Sequence, residues 1–506
     1  MSRHYEVVIV GAGISGAALA YELARYTNIG SIGVIEKYED IATLNSNGTS
    51  NSQTVHVGDI ETNYTLSKAA ITKRTAKMVE KYCLAHGYEN EIIFSHQKMA
   101  LGIGDEEVEF LLQRYEEFAQ LFPYLEVWDK EQLKTLEPRI VFDEEGNERP
   151  ETIVALGARD QWTTVDFAKM SKSLIENAKK EPDTLVDLFV NEQILKIEKN
   201  EAGGCTLYSE NQTFTADFVV VDAGAHSLFL AHEMGYGLDY ACLPVAGSFY
   251  LSSKKLLNGK VYMIQNPKLP FAALHGDPDV LADGSTRFGP TALILPKLER
   301  YKSGTYMDFW KTLQLDMNVV SALWKLLKDG EIRNYILRNF MFEIPFLGKR
   351  LFLKDARKIV PGLQLDEYEY ANDFGGVRPQ VIDKKQRQLI LGEASINTGE
   401  GIIFNMTPSP GATSCLGNAQ RDVEYIVGYL NKTFDEKRFN EELTDGEYSV
   451  LPEPIRLQKK TVNKIRKAMH AHDKVYYKEL EGSKPHKSFW HAPHSIWRRK
   501  KHSEDQ

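Results

Sequence analysis

Residues 6–37 read EVVIVGAGISGAALAYELARYTNIGSIGVIEK, and this stretch decides the fold. EVVIV (6–10) is an apolar run of strand length, and SIGVIE (31–36) is a second. Between them AALAYELARY (17–26) has helix-forming composition. The joint is GAGISG (11–16), a G-x-G-x-x-G that follows a strand and opens a helix. Gly11 and Gly13 allow a tight turn and a close approach of backbone to a pyrophosphate, and Gly16 lets helix and strand pack. The helix start at Ile14 and Ser15 offers free N–H groups and the positive end of a dipole. Glu36 ends the second strand, where a carboxylate accepts from ribose hydroxyls, with Lys37 beside it. The unit predicts a dinucleotide site.

The remaining composition sets bounds. The chain has 506 residues, 42% hydrophobic and 26% charged, which is ample for a large core and argues against disorder. Cys83, Cys205, Cys242 and Cys415 fit neither a zinc site nor a disulfide framework, so reduced thiols and no metal are expected. No secretory h-region and no apolar stretch of bilayer-spanning length is visible. The net charge of −9 is unevenly spread. Residues 456–501 hold fourteen Lys+Arg and three Asp+Glu, a net +11, while the body before them carries −18. A basic tail on an acidic body points to an anionic contact.

Strand-like segments of α/β character occur at the start, in the middle (LVDLFVNEQILKIEKN, 185–200; TADFVVVDAG, 215–224) and near the end (GIIFNM, 401–406). Helices are expected over 106–122, 164–180 and 411–430, a strand-rich span over 243–293 and a helical span over 306–356. The predicted architecture is α/β. It has a Rossmann-like domain, a parallel sheet with helices, assembled from 1–70, 150–240 and 371–432. An inserted α+β substrate domain with an antiparallel sheet takes 71–149 and 241–370, and 433–506 is a C-terminal extension.

Several segments resemble those of flavoproteins of the D-amino-acid-oxidase-like superfamily, which makes FAD the expected dinucleotide. TADFVVVDAGAHS (215–227) resembles the segment that covers the cofactor, with Ala223 and Gly224 in contact and Ile194 nearby. No second G-x-G-x-x-G marks a nicotinamide site. N-S-x-x-x-H-x-G (51–58) resembles the loop that passes the flavin, which places Ser52, Gln53 and Thr54 along the ribityl chain or pyrophosphate and His56 near the ring. GGVRPQ (375–380) resembles the segment with Gly376 at the flavin and Arg378 facing the substrate, and a guanidinium fork suits a carboxylate. NMTPSPGAT (405–413) resembles the segment that sets Pro410, Gly411, Ala412 and Thr413 and a helix start at the flavin pyrimidine. In LPFAALHGDPDVLADGSTRFGPTALILP (269–296), His275 is the leading candidate for the general base, its alternative being a purely orienting role.

The combination resembles the malate:quinone oxidoreductase family. The resemblance covers roughly 5–430 and rests on His56, Glu61, Asn63, Tyr64 and Thr65, and on 96–118, TTVDF (163–167), LPVAGSFYL (243–251), RFGPTA (287–292) and the SPGAT segment. It implies FAD-dependent oxidation of malate to oxaloacetate by hydride transfer from C2 to flavin N5. The catalytic residues would be His275, Arg378 and His56, with Lys98 either on the second carboxylate or an exposed helix-flank lysine. Electrons would pass to a membrane quinone, at the inner face of the cell membrane on the cytoplasmic side. Two stretches suit an anionic bilayer: 332–354, and the tail with FW (489–490) and IWRRKK (496–501). No nucleic-acid recognition fold accompanies the basic tail. The related L-2-hydroxyglutarate dehydrogenases share the histidine loop but lack the Glu-x-Asn-Tyr continuation. A flavin-bearing binding protein is the non-enzymatic alternative.

Overall fold

A computed structural model describes residues 3–201, 203–265, 273–282, 284–390, 392–408, 410–444, 458 and 460–469. The chain divides into Met1–Gln458 and a second unit, Lys459–Gln506, in which 460–469 are helical. The tail motifs at 489–490 and 496–501 lie outside the described residues, as do 266–272 and Ser409.

The opening β-α-β reading holds. Strand β1 (Arg3–Val10) leads through the glycine turn into helix α1 (Ile14–Tyr26) and then strand β2 (Ser31–Ile35). β1 pairs in parallel with β2 on one side and with the strand Thr213–Val221 on the other. Leu185–Phe189 extends the sheet beyond β2, and Ile402–Met406 extends it beyond Thr213–Val221. Start, middle and end of the chain thus meet in one parallel sheet, and its C-terminal edge is the place where such sheets bind ligands. Its strands are near-continuous apolar runs because both faces are covered. One face carries α1 with Phe167–Ala178 and Cys415–Leu430, the other His226–Glu233.

A separate, mainly antiparallel sheet of eight strands runs in the order Glu369–Tyr370, Tyr250–Ser252, Thr286–Gly289, His275–Pro278, Lys260–Met263, Lys98–Ile103, Ile153–Ala158, Glu126–Asp129. A smaller antiparallel sheet joins Tyr240–Ala246 to Val377–Asp383. Two strands therefore sit elsewhere than the sequence division places them. Ile153–Ala158 belongs to the eight-stranded sheet, and Val377–Asp383 pairs with Tyr240–Ala246 rather than entering the parallel sheet. IVALGA at 153–158 is buried throughout, and a continuous apolar run looks the same in either kind of sheet. The expected helix at 164–180 is shorter, Phe167–Ala178, because Trp162–Val165 is drawn into a strand with Ile93–Ser95.

Two glycines of the turn, Gly11 and Gly16, leave no room for a side chain. A Cβ on Gly16 would stand 2.0 Å from the Gly11 carbonyl oxygen. Gly16→Ala is expected to cost on the order of 2 kcal/mol by overpacking. The urea midpoint measures it, and an unchanged midpoint would contradict the packing described.

Candidate active site

The C-terminal edge of the parallel sheet opens into a cavity of about 390 Å³ that also touches the antiparallel sheets. Most of the expected residues line it: Gly11, Gly13, Ile14, Ser15, Glu36, Lys37, Ser52, Thr54, His56, Ile194, Ala223, Gly224, Gly376, Arg378, Pro410, Gly411, Ala412 and Thr413. Gly16 lies behind them as a packing glycine.

At one end is the glycine turn. Gly11 has φ +109°, and a Cβ there would meet the Asp222 carbonyl oxygen at 2.5 Å. The Glu36 carboxylate accepts from Ala12 N–H at 2.9 Å and Tyr38 N–H at 3.1 Å, which fixes the turn against the end of β2. Burial raises its pKa despite those bonds. The Lys37 ammonium turns to Glu299, which also accepts from the Tyr38 hydroxyl.

At the other end stand His56 and Arg378. His56 Nδ1 is 2.8 Å from Glu61 Oε1, and the second Glu61 oxygen accepts from Gly58 N–H at 2.8 Å. Burial pushes the Glu61 pKa up, but the bond to His56 and the charges of His56 and Lys98 outweigh it, so Glu61 is an anion at neutral pH. The His56 amide donates to Thr413 Oγ1 at 3.1 Å, tying this loop to the 410–413 segment. Arg378 comes from the strand Val377–Asp383. Asn45 holds the start of that strand through both polar atoms, donating to the Val377 carbonyl at 3.0 Å and accepting from Val377 N–H at 2.9 Å. The Arg378 Nη1 is buried with no hydrogen-bond partner, and no carboxylate among the described residues pairs with the guanidinium. Burial lowers its pKa, yet a guanidinium stays charged. An unpaired buried cation on a cavity wall is costly unless an anion joins it.

Besides Gly16, three expected residues do not reach the cavity. The ring of His275 stacks on Tyr262 at 4.3 Å with Nδ1 2.5 Å from Asp277 Oδ2. Tyr262 meets His56 edge-on at 6.3 Å, so the two histidines flank one tyrosine and only His56 faces the open space. Lys98 is 1% exposed and paired with Asp59 at 2.7 Å, neither exposed nor on the cavity. Gln53 has φ +53° and turns its amide away to Asp279, at 2.9 Å.

Sequence reading named Glu61 only as a family marker, because a five-residue spacing in a loop carries no contact information. Asn45, Tyr262 and Arg114 went unnamed. Asn45 begins a polar, aperiodic run, NSNGTSNSQT (45–54), and that composition is the only signal it leaves.

The malate:quinone oxidoreductase family model matches residues 3–475. The chain belongs to this family. A relative from Campylobacter jejuni subsp. jejuni, called "probable malate:quinone oxidoreductase", is 57% identical over 87% of this chain and 99% of its own length. The malate:quinone oxidoreductase of Helicobacter pylori is 48% identical over 88% of this chain and 99% of its own. Outside the family, human mitochondrial L-2-hydroxyglutarate dehydrogenase is 27% identical over 81% of this chain and 86% of its own length. Among solved structures, the L-alpha-glycerophosphate oxidase of Mycoplasma pneumoniae with FAD bound has a TM-score of 0.58 at 20% identity. It covers 85% of this chain and 96% of the oxidase. The glycine oxidase of Geobacillus kaustophilus gives 0.57 at 16% identity over 88% of this chain and all of its own. These structural likenesses establish the shared fold.

Two histidines beside the site tie stability to pH. Burial draws His96 from its ordinary 6.5 down to about 4, and burial lowers His275 as well, although Asp277 opposes it. The unfolded chain takes up these protons near the ordinary value, while the folded chain does not. Stability is therefore present above about pH 6.5 and lost as pH falls towards 4. The urea midpoint is expected to drop between about pH 7 and pH 5, and His96→Asn should flatten that drop.

Proposed function

We propose that this chain oxidises (S)-malate to oxaloacetate with a bound FAD and delivers the electrons to a membrane quinone. The observation that carries the reading is the unpaired Arg378 guanidinium on the same cavity wall system as the His56–Glu61 pair. Membership of the family supplies the substrate and acceptor.

FAD fits the residues present. Gly11 and Gly16 are closed to a Cβ by backbone, while Gly13 meets only Ser46 Oγ at 3.2 Å and lines the cavity, which lets a pyrophosphate lie close, and Glu36 at the end of β2 would accept from ribose hydroxyls. Ser52, Thr54, Ile194, Ala223, Gly224 and Gly376 would flank the cofactor, and Pro410 to Thr413 would present the start of the helix Cys415–Leu430. Bound FAD supplies the acceptor for the hydride that leaves C2.

The protein's own groups do the rest. Arg378 takes a substrate carboxylate in a planar two-bond fork and so fixes which C–H points inward. Glu61, ionised, holds the proton on His56 Nδ1 and leaves Nε2 as the acceptor for the substrate hydroxyl proton. As that proton arrives, the imidazolium forms against a carboxylate already in place, which lowers the cost of the charge. His275, behind Tyr262, acts through packing and does not take the proton. Lys98 sets the field at Glu61 and holds the loop through Asp59 rather than binding substrate.

Anaerobic mixing with malate should bleach the flavin, and side-by-side turnover with an artificial acceptor should favour malate over L-2-hydroxyglutarate. Faster turnover of the latter would overturn the substrate assignment. Arg378→Ala should lower kcat/KM for malate on the order of 100-fold, chiefly through KM, with flavin retained. His56→Asn should slow anaerobic bleaching by about 10²- to 10⁴-fold, and His275→Asn should leave it nearly unchanged. The reverse ranking would return the base to His275.

A further inference from the structure

Four helices, Tyr306–Leu313, Met317–Lys328, Gly330–Phe342 and Leu347–Ile359, form a lobe whose apolar residues face the wrong way for a core. On Met317–Lys328 the exposed apolar residues are Met317 (80%), Val320 (43%), Trp324 (66%) and Leu327 (41%). Their spacing of three, four and three is one face of a helix, the pattern that normally meets a core. Along and just beyond Gly330–Phe342 the exposed Leu337, Phe340, Met341 and Ile344 repeat it, and Phe346 is 88% exposed. Single exposed apolar residues are ordinary on a surface, but whole stripes at helical spacing mark a contact.

Charge says what kind of contact. Residues 306–354 hold eight Lys+Arg and five Asp+Glu, a net-positive island in an acidic body. Lys325, Lys328, Arg350 and Lys354 make no ion pair among the described residues. Exposed Trp, Phe and Met interleaved with free cations match a bilayer interface with anionic head groups. A protein partner would favour one compact hot spot instead. Among the described residues no helix is long and apolar enough to cross a membrane, so this lobe would lie on the surface.

The lobe also packs behind the cavity wall. The inward side of Gly330–Phe342 carries Asn339, which accepts from Ala292 N–H at 2.7 Å, and Tyr335, whose phenol interacts electrostatically with Arg378. Glu343, just past the helix, accepts from Thr291 Oγ1 at 3.2 Å and from Arg300 at 3.0 Å. One helix thus bears an apolar stripe outside and supports the substrate wall inside.

We propose that the helices of 306–347 dock flat on an anionic bilayer through Met317, Trp324, Phe340 and Phe346 and bring the cavity to the lipid-borne acceptor. The placement of the acceptor rests on the malate:quinone reading; the docking does not. The test uses the full-chain holoenzyme and vesicles of phosphatidylcholine with or without about 30% phosphatidylglycerol. The wild type should float with the anionic vesicles. Met317→Asp, Trp324→Asp and Phe346→Asp together should reduce flotation at least about tenfold. Reduction of a long-chain quinone held in the vesicles should fall in parallel, while malate oxidation with a soluble dye stays within about twofold. Undiminished flotation of the triple variant would overturn the proposal. So would a wild-type dimer that the substitutions split into monomers without loss of flotation, since a second copy would then cover the face. Should the triple variant fold poorly, quenching by brominated lipid of tryptophan fluorescence in a Trp490→Phe, Trp497→Phe variant, which keeps Trp324, decides, and no quenching rejects the docking. A wild type that floats but does not oxidise malate with the dye would refute the substrate reading alone.

Discussion

The constraint on which the site depends is the burial of a loop that has no sheet of its own. The backbone of 53–64 lies under the cavity, and buried N–H and C=O groups must find partners. They find them one by one. Val55 N–H donates to Thr163 O at 2.9 Å, and Val165 N–H to Gln53 O at 2.8 Å. The Arg114 guanidinium donates to the carbonyls of Glu61 at 2.7 Å and Tyr64 at 3.1 Å. Asp59 is held by Lys98 and by the Tyr124 hydroxyl, at 2.9 Å. The partners come from several separate segments of the chain. His56 is fixed because everything around it is already spoken for, and orientation is what a proton acceptor needs from its surroundings.

The same region concentrates charge away from water. Lys260 sits 3.6 Å from Asp277, which also faces His275, and Arg287 sits 3.7 Å from Asp279. Such pairs contribute little net stability, because desolvation offsets most of the attraction. Their effect is geometric. Asp279 captures Gln53, Lys260 donates to Thr54 Oγ1 at 3.0 Å, and Tyr262 bonds the same hydroxyl at 2.8 Å. The antiparallel sheet thereby sets the floor beneath a loop that follows from the parallel one.

This division explains what the sequence makes legible. The glycine turn, Glu36 and the parallel strands announce themselves because local geometry demands particular residues at fixed spacings. His56 and Arg378 stand out because short segments bring them directly to the cavity. His275 misleads for a physical reason. It lies on a strand where it sits opposite Tyr262, and the phenol ring stands between it and His56, the histidine that does line the cavity. Lys98 misleads because it reads as an exposed lysine flanking a helix, whereas it opens the strand Lys98–Ile103 and is buried against Asp59. Gln53 misleads by one backbone angle, its positive φ, which sends the amide to the far side. Contacts between segments far apart in the chain leave no trace in composition or periodicity.

The cavity's electrostatics complete the picture. An anionic substrate and a pyrophosphate would both have to lie near acidic groups. Asp222, on the lining, is pushed up to about 7 by burial and by the charge of Asp422, and burial raises Glu36 too. An acid with a raised pKa gives up its charge at small cost when another anion arrives, or keeps its proton as a donor towards it. Arg378 keeps its charge with no carboxylate partner among the described residues, and Glu61 keeps its own because His56 and Lys98 stabilise it. On the proposed reading, the site holds one cation for a carboxylate, one anion to orient a histidine, and two acids of raised pKa beside the glycine turn.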